Sequence, residues 1–92
     1  MNNKLIYVAD DEENIRNLVS SFLKKEGYRV NTFCDGDSLL EEFKKTPCDL
    51  VILDIMMPGL NGWEVCRKVR ESSNVPVIML TARSEEFDIL TG

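Results

Sequence analysis

The sequence predicts an α/β fold, a doubly wound parallel sheet covered by helices, and three observations predict it. Short, wholly apolar runs (Leu5–Ala9, Leu50–Leu53 and Val75–Leu80, the last broken by one proline) read as strands buried on both faces. Amphipathic segments of helical period separate those runs, so consecutive strands need right-handed crossovers and lie parallel. No repeat, low-complexity stretch or linker interrupts the alternation from end to end.

Each element has its own warrant. Leu5-Ile6-Tyr7-Val8-Ala9 is the first strand and stops at Asp10-Asp11-Glu12-Glu13. Ile15, Leu18, Val19, Phe22 and Leu23 then recur at i, i+3, i+4, i+7 and i+8, the core stripe of a first helix whose opposite face carries Arg16, Asn17 and Ser20. Lys24 and Lys25 sit in its last turn and Gly27 ends it, the order that the helix dipole and C-cap favour. Tyr28–Phe33 is a second, more polar strand near an edge. Asp35-Gly36-Asp37-Ser38 offers N-cap chemistry to a short helix carrying Leu39, Leu40 and Phe43, closed by Lys44, Lys45 and Pro47.

Leu50–Leu53 is the third strand and ends on Asp54. After a loop, Ile55–Gly62, Gly62 starts a third helix in which Trp63, Cys66 and Val69 share a packing face. Val75–Leu80 is the fourth strand, with Pro76 tolerable at its start, and it ends on Thr81. Glu85–Leu90 reads as the opening of a fourth helix, cut short at Gly92.

Composition narrows the function. The 92 residues suit one domain, and 43% hydrophobic with 29% charged residues excludes a disordered or collagen-like chain. No apolar run approaches the ~20 residues of a membrane span, and no signal-peptide pattern follows Met1. A net charge of −5 without a basic stripe argues against direct contact with nucleic acid by this segment. Cys34, Cys48 and Cys66 lack CxxC spacing and read as reduced, core-type thiols of a cytoplasmic protein. Histidine is absent, which removes Ser-His-Asp, Cys-His and His-ligated zinc chemistry.

What remains converges on one end of the sheet. Ligands of doubly wound sheets bind outside the carboxyl ends of the strands, and three strands end there in polar residues: Asp10-Asp11, Asp54 and Thr81. With strand order 2-1-3-4, the first, third and fourth strands are neighbours. The ~4.8 Å strand spacing then brings Asp11 and Asp54 within reach of one ion. Carboxylates that close repel one another, a conflict that a hard divalent cation removes; oxygen-only ligation with several waters suits Mg²⁺. A single acidic residue after a strand more often just caps the next helix. The combination of Asp10, Asp11 and Asp54 outweighs that reading. The acidic turn also excludes a phosphate cradle of backbone amides.

Asp10-Asp11 after the first strand, Asp54-Ile55-Met56-Met57-Pro58 with Gly62 after the third, and Thr81-Ala82 after the fourth resemble the receiver domain of bacterial two-component response regulators. The topology implied is the flavodoxin-like one, and the resemblance spans residues 1–92. The Met57–Arg70 and Val75–Arg83 stretches are most similar to receivers fused to winged-helix DNA-binding domains. The resemblance implies a phosphoprotein of a phosphorelay: Asp54 accepts a phosphoryl group from a sensor histidine kinase and the domain switches a transcription-regulating output. It further implies that Asp11 and Asp54 hold Mg²⁺ directly, Asp10 through water, with the Met56 carbonyl as another ligand. Thr81 would be the switch hydroxyl on the phosphoryl group, with Ala82 and Arg83 as its neighbours. Such a domain catalyses its own phosphorylation and dephosphorylation and is not a turnover enzyme.

The family pattern continues into a fifth strand ending in a lysine, and then a final helix. The chain is therefore read as a receiver truncated within its fourth helix, with the fifth strand missing and no output domain. On that reading the fourth strand is an open edge, through which the chain is expected to self-associate. Two other functions compete: a phosphorylation-independent interaction module, and a Mg²⁺ phosphohydrolase with an Asp nucleophile. Against the hydrolase, the nucleophile candidate follows the third strand and position 56 is Met rather than Asp.

Overall fold

A computed structural model describes residues 3–80 and 87–90. The elements follow in the order β1 (Leu5–Ala9), α1 (Glu13–Lys25), β2 (Arg29–Phe33), α2 (Gly36–Lys45), β3 (Leu50–Asp54), α3 (Gly62–Arg70), β4 (Val77–Leu80) and β5 (Phe87–Leu90). They build one sheet in the order β2-β1-β3-β4-β5. The β1–β2, β1–β3 and β3–β4 pairs are parallel, as the crossovers require. No described helix is long and apolar enough to cross a membrane.

Local chemistry sets the helix ends. Gly27, at φ 99°, closes α1: its N–H donates to the Lys24 carbonyl, and the Tyr28 N–H donates to the Leu23 carbonyl. Asp35 caps α2 by accepting the Ser38 N–H at 2.8 Å. Asn61 and Glu64 form a reciprocal capping box at the start of α3.

Strand alternation sorts the core into two layers. Tyr7, Ala9, Val51, Leu53, Val77 and Met79 point toward α2 and α3 and pack on Leu39, Phe43, Val65 and Val69. Ile6, Val8 and Ile52 point the other way, with Val19 and Leu23 of α1 and with Ile78 and Leu80 packed around them. Tyr7 is completely buried edge-on against Phe33 and Phe43, and its hydroxyl donates to the Thr46 carbonyl. That bond removes the cost of burying a phenol.

The structure departs from the sequence reading in four places. Residues 85–86 lie outside the described residues, but Phe87–Leu90 is a strand antiparallel to β4, pairing Val77 with Leu90 and Leu80 with Phe87, and not a fourth helix. The unpaired N–H and C=O groups along the edge of β4 are a template for extended chain, and Phe87–Leu90 takes it. The parallel order 2-1-3-4 is as expected, but an antiparallel strand is added beside β4, so β4 is not an open edge and self-association through that edge loses its basis. Helix α1 is also turned from its expected orientation: Ser20 is buried, whereas Leu18 and Phe22 are 67% and 61% exposed. Trp63 is exposed rather than packed with the buried Cys66. Cys34 is an exposed thiol, not a core one.

Candidate functional site

The carboxyl ends of β1 and β3 build the site. Ala9 pairs with Leu53, so the next residues, Asp10 just past β1 and Asp54 at the end of β3, stand side by side. Asp10 is 3% exposed and Asp54 9%, whereas Asp11 reaches solvent. Carboxylate oxygens of Asp10, Asp11 and Asp54 lie within 4.8 Å of one another.

Backbone donors hold two of these side chains. Asp10 Oδ1 accepts the Glu12 N–H at 2.8 Å, and the Asp10 N–H donates to the Phe33 carbonyl. Asp54 Oδ1 accepts the Met56 N–H at 3.2 Å. The loop after Asp54 folds back so that the Gly62 N–H donates to the Ile55 carbonyl at 2.9 Å. A Cβ at Gly62 would sit 2.7 Å from the Asp54 carbonyl oxygen and 2.9 Å from Ile55 Cα, so only glycine admits this approach. Helix α1 takes no side-chain cap from its N-cap residue, Glu12. The Asp10 carboxylate bonds the N–H of Glu12 itself, ahead of the first helical residue.

Electrostatics disfavours three ionised carboxylates here. Burial, then the charge of Asp10, push Asp54 up to about 6 against the opposing pull of the Met56 N–H, and Asp11 adds to the rise. Burial raises Asp10 as well, with the Glu12 N–H opposing it. Oxygen-only donors, close spacing and unrelieved repulsion make a donor set that fits a hard divalent cation.

Asp10, Asp11 and Asp54 are brought together as the sequence predicts. Met56 lies in the adjoining loop with its N–H on Asp54 and its side chain exposed. Thr81, Ala82 and Arg83 lie outside the described residues. Sequence reasoning missed Arg16, whose Nη1 donates to the Asp10 carbonyl at 2.7 Å. The available signal was a cation in the first turns of a helix, where the dipole disfavours it.

Fold and site together define the class: a doubly wound α/β domain whose parallel β2-β1-β3-β4 strands carry a cluster of carboxylates at their carboxyl edge. Residues 6–92 match the family described as "Response regulator receiver domain", and the chain belongs to that family. It is 41% identical over 87 residues to the sensory transduction protein RegX3 of Mycolicibacterium smegmatis, covering 95% of this chain and 38% of that protein. It is 45% identical to the probable transcriptional regulator ycf27 of Porphyridium aerugineum, covering 100% of this chain and 38% of that protein. The chain thus spans little more than a third of the length of these relatives.

Among solved structures, the response regulator TrrA of Thermotoga maritima in complex with Mg²⁺-BeF superposes with a TM-score of 0.81 at 45% identity, over 86% of this chain and 70% of that one. TrrA in its complex with the histidine kinase ThkA superposes at 0.82 with 44% identity, over 89% and 72%.

Proposed function

We propose that this receiver domain accepts a phosphoryl group on Asp54 from the phosphohistidine of a sensor kinase, with Mg²⁺ held by the acidic cluster. The observation that carries the reading is the convergence of Asp10, Asp11 and the nearly buried Asp54 within 4.8 Å at the end of the sheet. Asp11 and Asp54 would hold the cation directly and Asp10 through water, with the Met56 carbonyl as a further ligand. When bound, Mg²⁺ neutralises the carboxylates and the charge of the phosphoryl oxygens.

The chain's own residues supply the rest. The Met56 N–H restrains one Asp54 oxygen, which leaves the other as nucleophile. That oxygen forms a bond to phosphorus while the P–N bond of phosphohistidine breaks, and the departing imidazole nitrogen takes up a proton. The product is an acyl phosphate, which water later hydrolyses at the same site. By the family resemblance, Thr81 would donate its hydroxyl to a phosphoryl oxygen and carry the switch, with Ala82 and Arg83 as neighbours of the phosphoryl group. In a longer protein the switch acts on a DNA-binding output domain, a reading supported by relatives named as transcriptional regulators. We assign the domain to the cytoplasm, and no direct nucleic-acid contact to it.

Incubation with acetyl phosphate and Mg²⁺ followed by intact-mass measurement tests the assignment. A single phosphoryl adduct that disappears in Asp54→Asn is expected. Label mapped to Ser38, Ser84 or Thr81 overturns the Asp54 assignment, and no adduct with the donor in excess overturns it in favour of a phosphorylation-independent interaction module.

A further inference from the structure

We infer that Arg16 is a positioning residue for the cation site, an inference that rests on the cation reading above. Four observations carry it. Arg16 occupies the fourth position of α1, where the partial positive charge of the helix N-terminus disfavours a cation. Its side chain is half-buried, on the sheet-facing stripe it shares with Val19, Ser20 and Leu23. Its guanidinium donates at 2.7 Å to the carbonyl of Asp10, six residues back. The carboxylate of that same Asp10 accepts the Glu12 N–H at 2.8 Å.

The Asp10-Asp11-Glu12 turn is thus tied at both ends, by Arg16 at its first carbonyl and by the Asp10 side chain at its last N–H. The bond from Arg16 goes to a carbonyl and not to a carboxylate, so it holds the turn without occupying an oxygen that a cation needs. Asp11 is the member of the cluster exposed to solvent, and fixing the backbone on either side of it limits where its carboxylate goes. Outer partners of metal ligands typically change metal affinity by ~10–100-fold when removed.

Amide NMR titration with MgCl₂ tests this, because it reads affinity in the folded molecules alone. Wild type, Arg16→Met and Arg16→Lys are compared, following the amides of Asp10, Asp11 and Asp54. Arg16→Met should raise the Mg²⁺ Kd about tenfold, and Arg16→Lys, which keeps a donor of shorter reach, should fall between. The apo spectrum of Arg16→Lys should keep wild-type dispersion, so a collapse of the Met variant leaves the comparison intact. An unchanged Kd in both variants overturns the inference and leaves Arg16 a fold anchor. A tighter Kd in Arg16→Met also overturns it, since the guanidinium would then act only as a competing charge. A wild type whose amides do not respond to Mg²⁺ overturns the cation site itself and Arg16's role with it.

Discussion

The two faces of the sheet are made from the same strands, yet they are covered differently. Toward α2 and α3, Tyr7, Val51, Leu53, Val77 and Met79 are sealed from solvent. The two helices close over them tightly: Gly36 lies where a Cβ would run into Val65 Cγ2. Toward α1, Ile6, Val8 and Ile52 are buried, but Ile78 and Leu80 are only half-covered and Leu18 and Phe22 stand in solvent. An entirely apolar hollow of about 710 Å³ runs between them, lined by Leu18, Val19, Phe22, Leu23, Ile52, Ile78 and Leu80. Alternation along a strand therefore provides two apolar faces, whereas the number of helices above each decides how much burial results. Among the described residues one face has two helices and is sealed; the other has one, seated over β1 and β2.

The largest effect should come from the sealed face. Leu53→Ala removes a completely buried side chain between rigid neighbours, and a chemical-denaturation midpoint should report a loss of about 3 kcal/mol. A loss below about 1 kcal/mol would mean that this face is as loosely covered as the other, and would break the comparison.

A second, smaller effect belongs to the site where the faces meet. Above about pH 6 the folded chain holds Asp54 ionised in a place that favours its proton, so folding is penalised there. Between about 6 and the ordinary 3.8 the folded chain binds more protons than the unfolded one, and stability rises as pH falls. Asp10 shifts in the same direction. Asp35 is shifted downward by the Ser38 N–H, and the stability it contributes is lost only below its ordinary value, outside this window. Without metal, the melting temperature should rise between pH 7 and pH 5. The gain is on the order of 1 kcal/mol, less than the shift alone converts to, because water around the exposed Asp11 screens the cluster. Asp54→Asn should stabilise the apo protein at pH 7 and flatten most of this dependence. A wild-type profile that falls toward pH 5 would contradict the proposed repulsion.

These contrasts mark what the sequence makes legible. Runs such as Leu50–Leu53 are apolar at every position, and in a mixed sheet only a strand sandwiched between helices tolerates that, so β1, β3 and β4 are readable, and with them the convergence of Asp10, Asp11 and Asp54. Phe87–Leu90 is not: Phe87 and Ile89 fit a strand, Phe87 and Leu90 fit a helix turn, and four residues cannot separate the two periods. The open partner strand decided it. The rotation of α1 was hidden for a related reason. Ile15, Leu18, Val19, Phe22 and Leu23 form a stripe wide enough to seat either flank, and the flank chosen brings Arg16 and Ser20 toward the sheet. A hydrogen bond from Arg16 to a backbone carbonyl leaves no trace in hydrophobic period, so the period placed Arg16 on the outer face and only its unfavourable position in the first turns of the helix hinted otherwise.

The smallest effect should come from the bare flank of α1. Leu18 at 67% and Phe22 at 61% exposure have lost little apolar area to folding, so truncating them removes little. Full burial of such side chains stabilises by roughly 1.5–3 kcal/mol, and about a third of that is at stake here. Alanine is also the better helix former, which returns a few tenths of a kcal/mol at each position. Leu18→Ala with Phe22→Ala should together cost about 1 kcal/mol, while binding of a hydrophobic dye should drop because two of the seven side chains lining the hollow are gone. Chemical denaturation and dye fluorescence on the same samples check both halves. A combined loss approaching that of Leu53→Ala would show that α1 presses down on Ile78 and Leu80 in solution, and the two faces would then be equally sealed.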